Sequence, residues 1–259
     1  MIDAELAGGE FARQESRFRD WVGPDPRTGA TGEHQPEAGR YHLYVSLACP
    51  WCHRTAIVRE LAGLQQALPI SYLAPFRDER GWAFTGERFA DGPAGEYVDA
   101  LHGWAFMSEA YSASDPSFGE RITVPVLWDT RTERIVNNES SDMIRMMGSA
   151  DSLGGLGHGA ELDLYPEELR AEIDTINERV VRFDEVYNLH FRCNRRRLVD
   201  YPNLWGYARE LHQLPGVAGT VAMDQIKRHY YTTHDELNPK RIIPVGPGYD
   251  WAEPHGRDR

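Results

Sequence analysis

The chain has 259 residues, 41% hydrophobic and 26% charged, enough for one large domain or two ordinary ones with a substantial core. Its formal net charge of −12 argues against a general nucleic-acid binder, because phosphate contacts need clustered Lys and Arg. It holds no run of roughly eighteen apolar residues, so no membrane-spanning helix is expected.

The amino terminus, "MIDAELAGGEFARQESRFRDW", lacks an apolar h-region, so no secretory leader is expected and a cytoplasmic location follows as the expectation. Residues 1–39 include "GPDPRTGATGEHQPEAG" and read as an extended lead-in that wraps over a core. Residues 40–48, "RYHLYVSLA", alternate and are β-prone, which predicts a strand. A helix is predicted to follow at once, with Pro50 in its first turn and apolar positions at Ala56, Ile57, Leu61 and Leu64. Residues 69–76 read as a second strand. A long aromatic- and Gly-rich insert covers 77–120, with a short helix over 104–114.

"TVPVLWD" is a third strand, "RTER" a turn and "IVNN" a fourth strand; "ESSDMIRMMGS" then opens with the acidic and hydroxyl residues that helix N-termini prefer. The order is therefore β-α-β, a long insert, then β-β-α. After the Gly-rich joint over 148–160 the chain reads helical at 166–191, 203–214 and 221–231, and ends in a Pro- and Gly-containing coil. The basic run "FRCNRRRL" at 191–198 reads as the solvated end of a helix rather than a phosphate site.

Cys49 falls at the predicted strand-to-helix junction, in the N-cap position. A thiolate there meets free backbone N–H groups and the positive end of the helix dipole, which favours the nucleophilic form. Cys52 follows about one turn into the helix, close enough to resolve a mixed disulfide. Spacing alone leaves three readings open: a redox pair, half of a metal site, or core packing. Metal is the weakest, since structural zinc needs about four ligands and Cys193 stands alone. Pro125, before the third strand, suits a cis peptide bond that presents the preceding backbone to a ligand. Glu139 and Ser140, at a helix start, could receive a charged end of such a ligand or merely cap the helix.

Several stretches together resemble the glutathionyl-hydroquinone reductases, the Xi class of glutathione transferases. They include "YHLYVSLACPWCHRTAIVREL", "RDERGWAF", "RITVPVLWDTRTERIVNNESSDMIRMM" and "DQIKRHYYTTHDELNPKRIIPVGP", and the match runs in order along nearly the whole chain. The resemblance implies a thioredoxin-like α/β domain over 40–148, a shortened all-α glutathione-transferase-type domain over 149–259, and a homodimer. It implies glutathione as co-substrate, no metal, and reductive removal of glutathione from aromatic hydroquinone conjugates. Cys49 matches the nucleophile. Trp82, Arg121, Ile122, Thr123, Val124, Glu139 and Ser140 match thiol-binding positions, with Trp82 suited to stack on the tripeptide and Arg121 to pair a carboxylate. Tyr187 and Tyr230 match tyrosines that face the cysteine and the aromatic substrate.

Two features depart from the family pattern. The usual C-P-W-A is C-P-W-C here, so Cys52 is an additional thiol, with a resolving or protective role open to it. Several dozen family residues, among them a "Y.AGFA" segment whose tyrosine has an acid–base role, have no counterpart between Val181 and Arg182. A broader Omega- or glutaredoxin-like thiol transferase or dehydroascorbate reductase, and a non-catalytic thiol- or partner-binding protein, therefore stay as alternatives. Only Lys227 and Lys240 are lysines among 28 basic residues. That skew suggests a GC-rich genome and leaves mycothiol or another small thiol open as the co-substrate.

Overall fold

The computed structural model describes residues 15–90, 92, 95–162, 186, 190–192 and 195–257. The amino-terminal half is built on a four-stranded sheet in the order β2-β1-β5-β6. Its strands are β1 (Tyr41–Val45), β2 (Ile70–Tyr72), β5 (Val126–Asp129) and β6 (Arg134–Asn137). β1 runs parallel to β2 and antiparallel to β5, and β6 is antiparallel to β5. β1 is buried at all five positions, as expected of a central strand covered on both faces.

Helix α1 (Pro50–Leu61) links β1 to β2 and packs beside α3 (Ser140–Met147). Pro50 occupies the first turn, where its missing N–H costs nothing. The helix stops at Ala62, and Gly63 follows with φ +65, a left-handed conformation that favours glycine there. Ala56 and Leu64 are buried, whereas Ile57 and Leu61 are half-buried. The last two face a second layer: with Ala208, Leu211 and Val217 they line an apolar cavity of about 70 Å³. α1 is thus covered from two sides, by the sheet layer and by the carboxy-terminal half.

The insert carries a small antiparallel hairpin, β3 (Arg77–Asp78) and β4 (Gly81–Trp82), and helix α2 (Met107–Ser114). The hairpin is absent from the sequence expectation because two-residue strands leave no alternation to detect. In the carboxy-terminal half the described helices are α4 (Pro202–His212) and α5 (Met223–Thr233), close to the expected spans. The helix expected over 166–191 lies almost wholly outside the described residues. Arg192, Arg195, Arg196 and Arg197 are exposed, and Arg197 pairs with Asp200 at 3.2 Å, a solvated arrangement.

Residues 15–39 form no helix or strand of their own. Trp21 and Val22 insert into the main core, while Arg19 makes a bidentate pair with Asp142 of α3 (2.6 and 2.9 Å). Phe18 exchanges backbone and side-chain bonds with Asn138. The lead-in therefore clasps the segment that joins β6 to α3.

His42 on β1 is buried, with Nε2 2.8 Å from the Ser71 hydroxyl, and burial pushes its imidazole down to about 4. The unfolded chain takes up this proton near pH 6.5 and the folded chain only near 4. Stability should therefore fall as pH drops through that window, by about 3 kcal/mol from this group, and level off below it. In urea titrations between pH 7 and 4.5, His42→Gln is expected to lose that part of the acid slope. Identical slopes in the two proteins would refute the assignment.

Candidate active site

β1 ends at Val45, and the chain turns through Ser46 to Ala48, with the Cys49 N–H donating to the Ser46 carbonyl at 2.9 Å. Cys49 is the N-cap of α1 in extended geometry (φ −84, ψ 128), and its carbonyl accepts the His53 N–H at 3.0 Å. Its side chain makes no cap bond to the helix. The thiol points across to the Val124 carbonyl, 3.6 Å away. Cys49 is 7% exposed, whereas Cys52 is fully buried in the core beneath.

The Val124–Pro125 bond is cis, as the sequence layout suggests. The segment before it is held by groups the sequence reading did not single out. Tyr111 on α2 donates its hydroxyl to the Thr123 carbonyl at 2.9 Å, and Asn138 donates to the Tyr111 oxygen (3.1 Å) and to the Thr123 hydroxyl (3.2 Å). Asn138 was within reach of sequence reasoning, since it adjoins Glu139 in "VNNESS". Tyr111 gave no signal, because its partners come together only in the fold.

Glu139 caps α3. One carboxylate oxygen accepts from the Ser141 N–H and hydroxyl (3.2 and 3.0 Å), and the other accepts from the Ser16 hydroxyl at 2.9 Å. Arg54 of α1 lies 3.6 Å from the first oxygen and donates twice to the Ser140 hydroxyl (3.0 and 2.6 Å). Ser140 lines the site, and Glu139 stands behind it in the cap.

These elements enclose a cleft of about 1040 Å³ between the sheet half and the helical half. Cys49, Trp82, Ser140, Tyr230 and all of residues 121–124 line it, so eight of the eleven residues named from the sequence share one cavity. Of the others, Glu139 sits behind Ser140, Cys52 lies in the core, and Tyr187 is outside the described residues. Arg121 is exposed in the cleft wall. Trp82 is only 5% exposed, and its ring is stacked on His229 rather than open on both faces.

Tyr230, 8% exposed, comes from α5, whose base is tied down by a histidine pair. His190 Nε2 is 3.1 Å from His234 Nδ1, which in turn meets the Tyr230 carbonyl at 3.1 Å. Burial lowers both imidazoles, and in His190 the neighbouring His234 adds to the effect. Both are thereby favoured as neutral rings that can share a proton. Among the described residues no group of three His, Cys, Asp or Glu side chains could hold a metal ion.

A thiol at a helix start, a backbone strip before a cis proline and a phenol across a wide cleft suit thiol exchange on a bulky conjugate. The profile of the glutathione S-transferase amino-terminal domain matches residues 48–150. Glutathionyl-hydroquinone reductase YqjG of Escherichia coli is 36% identical, covering 99% of this chain and 94% of the relative. The solved Xi-class glutathione transferase of Natrialba magadii superposes with a TM-score of 0.84 at 36% identity, covering 95% of this chain and 92% of that one. The chain belongs to the Xi class of glutathione transferases, the glutathionyl-hydroquinone reductases.

The glutathione-bound structure of YqjG, a glutathione transferase homologue from Escherichia coli, has a TM-score of 0.80 at 34% identity and covers 93% of this chain and 96% of that one. The thioredoxin-like α/β domain followed by a helical domain is thus the fold of this Xi-class chain. Its alignment with the Escherichia coli relative runs over 319 positions, more than the 259 residues of the chain. The relative therefore carries segments that this chain lacks.

Proposed function

We propose that the protein is a thiol-dependent reductase that removes glutathione from S-glutathionyl-hydroquinones through a mixed disulfide on Cys49. The observation that carries this reading is the Cys49 thiol at the start of α1, directed at the Val124 carbonyl inside a cleft whose far wall holds Tyr230. The full-length kinship with proteins named for this activity supports it.

In the first half-reaction the Cys49 thiolate attacks the thioether sulfur. The carbon–sulfur bond breaks, its electron pair passes to the ring carbon, which takes a proton, and hydroquinone leaves. In the second, a glutathione thiolate attacks the glutathionyl sulfur, Cys49 departs as thiolate, and oxidised glutathione is released. The conjugate is reduced by two electrons and two glutathionyl sulfurs are oxidised to one disulfide, so the cycle balances. Residues 121–124 offer backbone groups to the cysteinyl part, and Ser140, with Glu139 capping behind it, receives the γ-glutamyl end. The Tyr230 hydroxyl can donate to thiolate or phenolate; Tyr187 takes a similar role by resemblance alone.

The domain division at 39/40 and 148/149, a homodimer and a cytoplasmic location belong to the same proposal. Among the described residues no helix is long and apolar enough to cross a membrane.

Cleavage of glutathionyl-menadiol, with release of menadiol and oxidised glutathione, tests the reading. Turnover of a mixed disulfide such as hydroxyethyl disulfide with no cleavage of the conjugate would favour an Omega-like transferase. Three fungal relatives bear that name, which keeps this second reading alive. Failure of both reactions would point to a binding protein.

Cys52→Ala is expected to leave conjugate turnover in the same order of magnitude, because Cys52 is fully buried and outside the cleft lining. Complete loss of turnover in a folded variant would instead establish a dithiol cycle.

A further inference from the structure

His229 and Tyr230 are consecutive on α5 and both reach the cleft, yet only the tyrosine had a role in the sequence reading. The His229 imidazole lies nearly flat on the Trp82 indole, with ring centres 5.1 Å apart and planes 19° from parallel. Its Nδ1 is 2.7 Å from the Pro75 carbonyl. A carbonyl only accepts, so Nδ1 carries the proton and donates. One histidine thus grips the hairpin twice, at the backbone that leads into β3 and at the ring that ends β4.

The hairpin has little means of fixing that ring by itself. Its strands are two residues long, and so short a ribbon is marginal alone. Backbone bonds hold its base: Ala74 N–H donates to the Ala83 carbonyl at 2.9 Å, and Ala83 bridges to Phe106. These set the chain path and leave the indole torsions to side-chain contacts. The cross-strand neighbour Arg77 places its guanidinium 5.9 Å from the indole ring centre, a distant contact. The close, face-on contact comes from α5, far along the chain.

We propose that His229 is a positioning residue for the thiol site: by stacking on Trp82 and anchoring Pro75 it holds the indole in its ligand-binding orientation and makes thiol affinity depend on the docking of α5. This rests on the proposed role of Trp82 in thiol binding. It also explains why Tyr230 follows directly, since the same turn of α5 that presents the phenol to the cleft locks the indole. The ordinary alternative is aromatic packing with no bearing on the ligand, and it makes different predictions.

The test compares His229→Ala, which removes ring and donor, with His229→Phe, which keeps a flat ring and loses the donor. Glutathione binding to the full chain is measured by calorimetry, and steady-state kinetics are measured with glutathionyl-menadiol. An offset-stacked aromatic pair contributes enough that His229→Ala should weaken glutathione binding and raise KM for the conjugate roughly five- to tenfold. kcat at saturation should move much less, and His229→Phe should restore most of the affinity. In a Trp82→Ala background, His229→Ala should add little further loss, because the partner it positions is gone.

Equal glutathione affinity for His229→Ala and the unaltered protein would overturn the inference. So would a fall in kcat at constant KM, or full additivity with Trp82→Ala. If the unaltered protein binds no glutathione, the functional reading falls together with the inference, a result plainly distinct from equal binding by both proteins.

Discussion

Cys49→Ser is expected to abolish cleavage of glutathionyl-menadiol, lowering turnover by roughly three orders of magnitude or more, as loss of a covalent nucleophile does. A hydroxyl at the same helix start ionises far too weakly to replace a thiolate. The variant should fold normally. Cys49 makes no side-chain cap bond, and its contact with the Val124 carbonyl at 3.6 Å is long enough for a serine hydroxyl to be accommodated. Intact-mass measurement gives the sharper readout: the unaltered protein should gain one glutathionyl adduct from the conjugate, and the serine variant none. Retained turnover, or an adduct on another residue, would move the chemistry away from Cys49.

Asp129→Ala is expected to be the most damaging substitution to stability, costing about 3–5 kcal/mol. The side chain of Asp129 is fully buried at the end of β5 and accepts from Arg40 Nε at 3.0 and 3.1 Å, from His34 at 2.9 Å and from the Arg131 N–H at 2.9 Å. Arg40 is itself buried, so truncating the aspartate strands a guanidinium without water. Urea unfolding should show the loss, and pairing Asp129→Ala with Arg40→Ala should recover part of it, since both charges then disappear.

The same cluster sets a pH dependence of definite sign. Burial opposes ionisation of Asp129, but the Arg40 guanidinium, the Arg131 N–H and His34 outweigh it and hold the carboxyl well below the usual carboxylate range. Its stabilisation is therefore fully present above the ordinary aspartate value near 4, and is lost as pH falls below that towards the folded value. The aspartate lies at the opposite end of β5 from Pro125, so activity per folded molecule should change little.

Much of the amino-terminal half was legible in the sequence because its signals are local. The alternation of "YHLYV", the proline after Cys49, and the serines and acid that open α3 each specify a conformation through their immediate neighbours. The cis bond before "VLWD" was readable from strand order. The hairpin at 77–82 was not, since two-residue strands carry no period. His229 was missed for a related reason: a histidine on an aromatic helix gives no hint of which distant ring it will meet.

By itself, then, the sequence determined that the Cys49 thiol sits at a helix start, which strands and helices flank it and which family the chain joins, because caps, periodicities and contiguous motifs act over a few residues. Only the tertiary structure decided how the site is held. The Ser16 hydroxyl reaches Glu139 across 123 positions of chain, Asn138 and Tyr111 brace Thr123, and His229 clamps Trp82 from the other half of the molecule. It also decided that Cys52 is core and that Arg40 and Asp129 are buried together, since burial depends on what the remainder of the chain places over a residue and not on the residue's own neighbours.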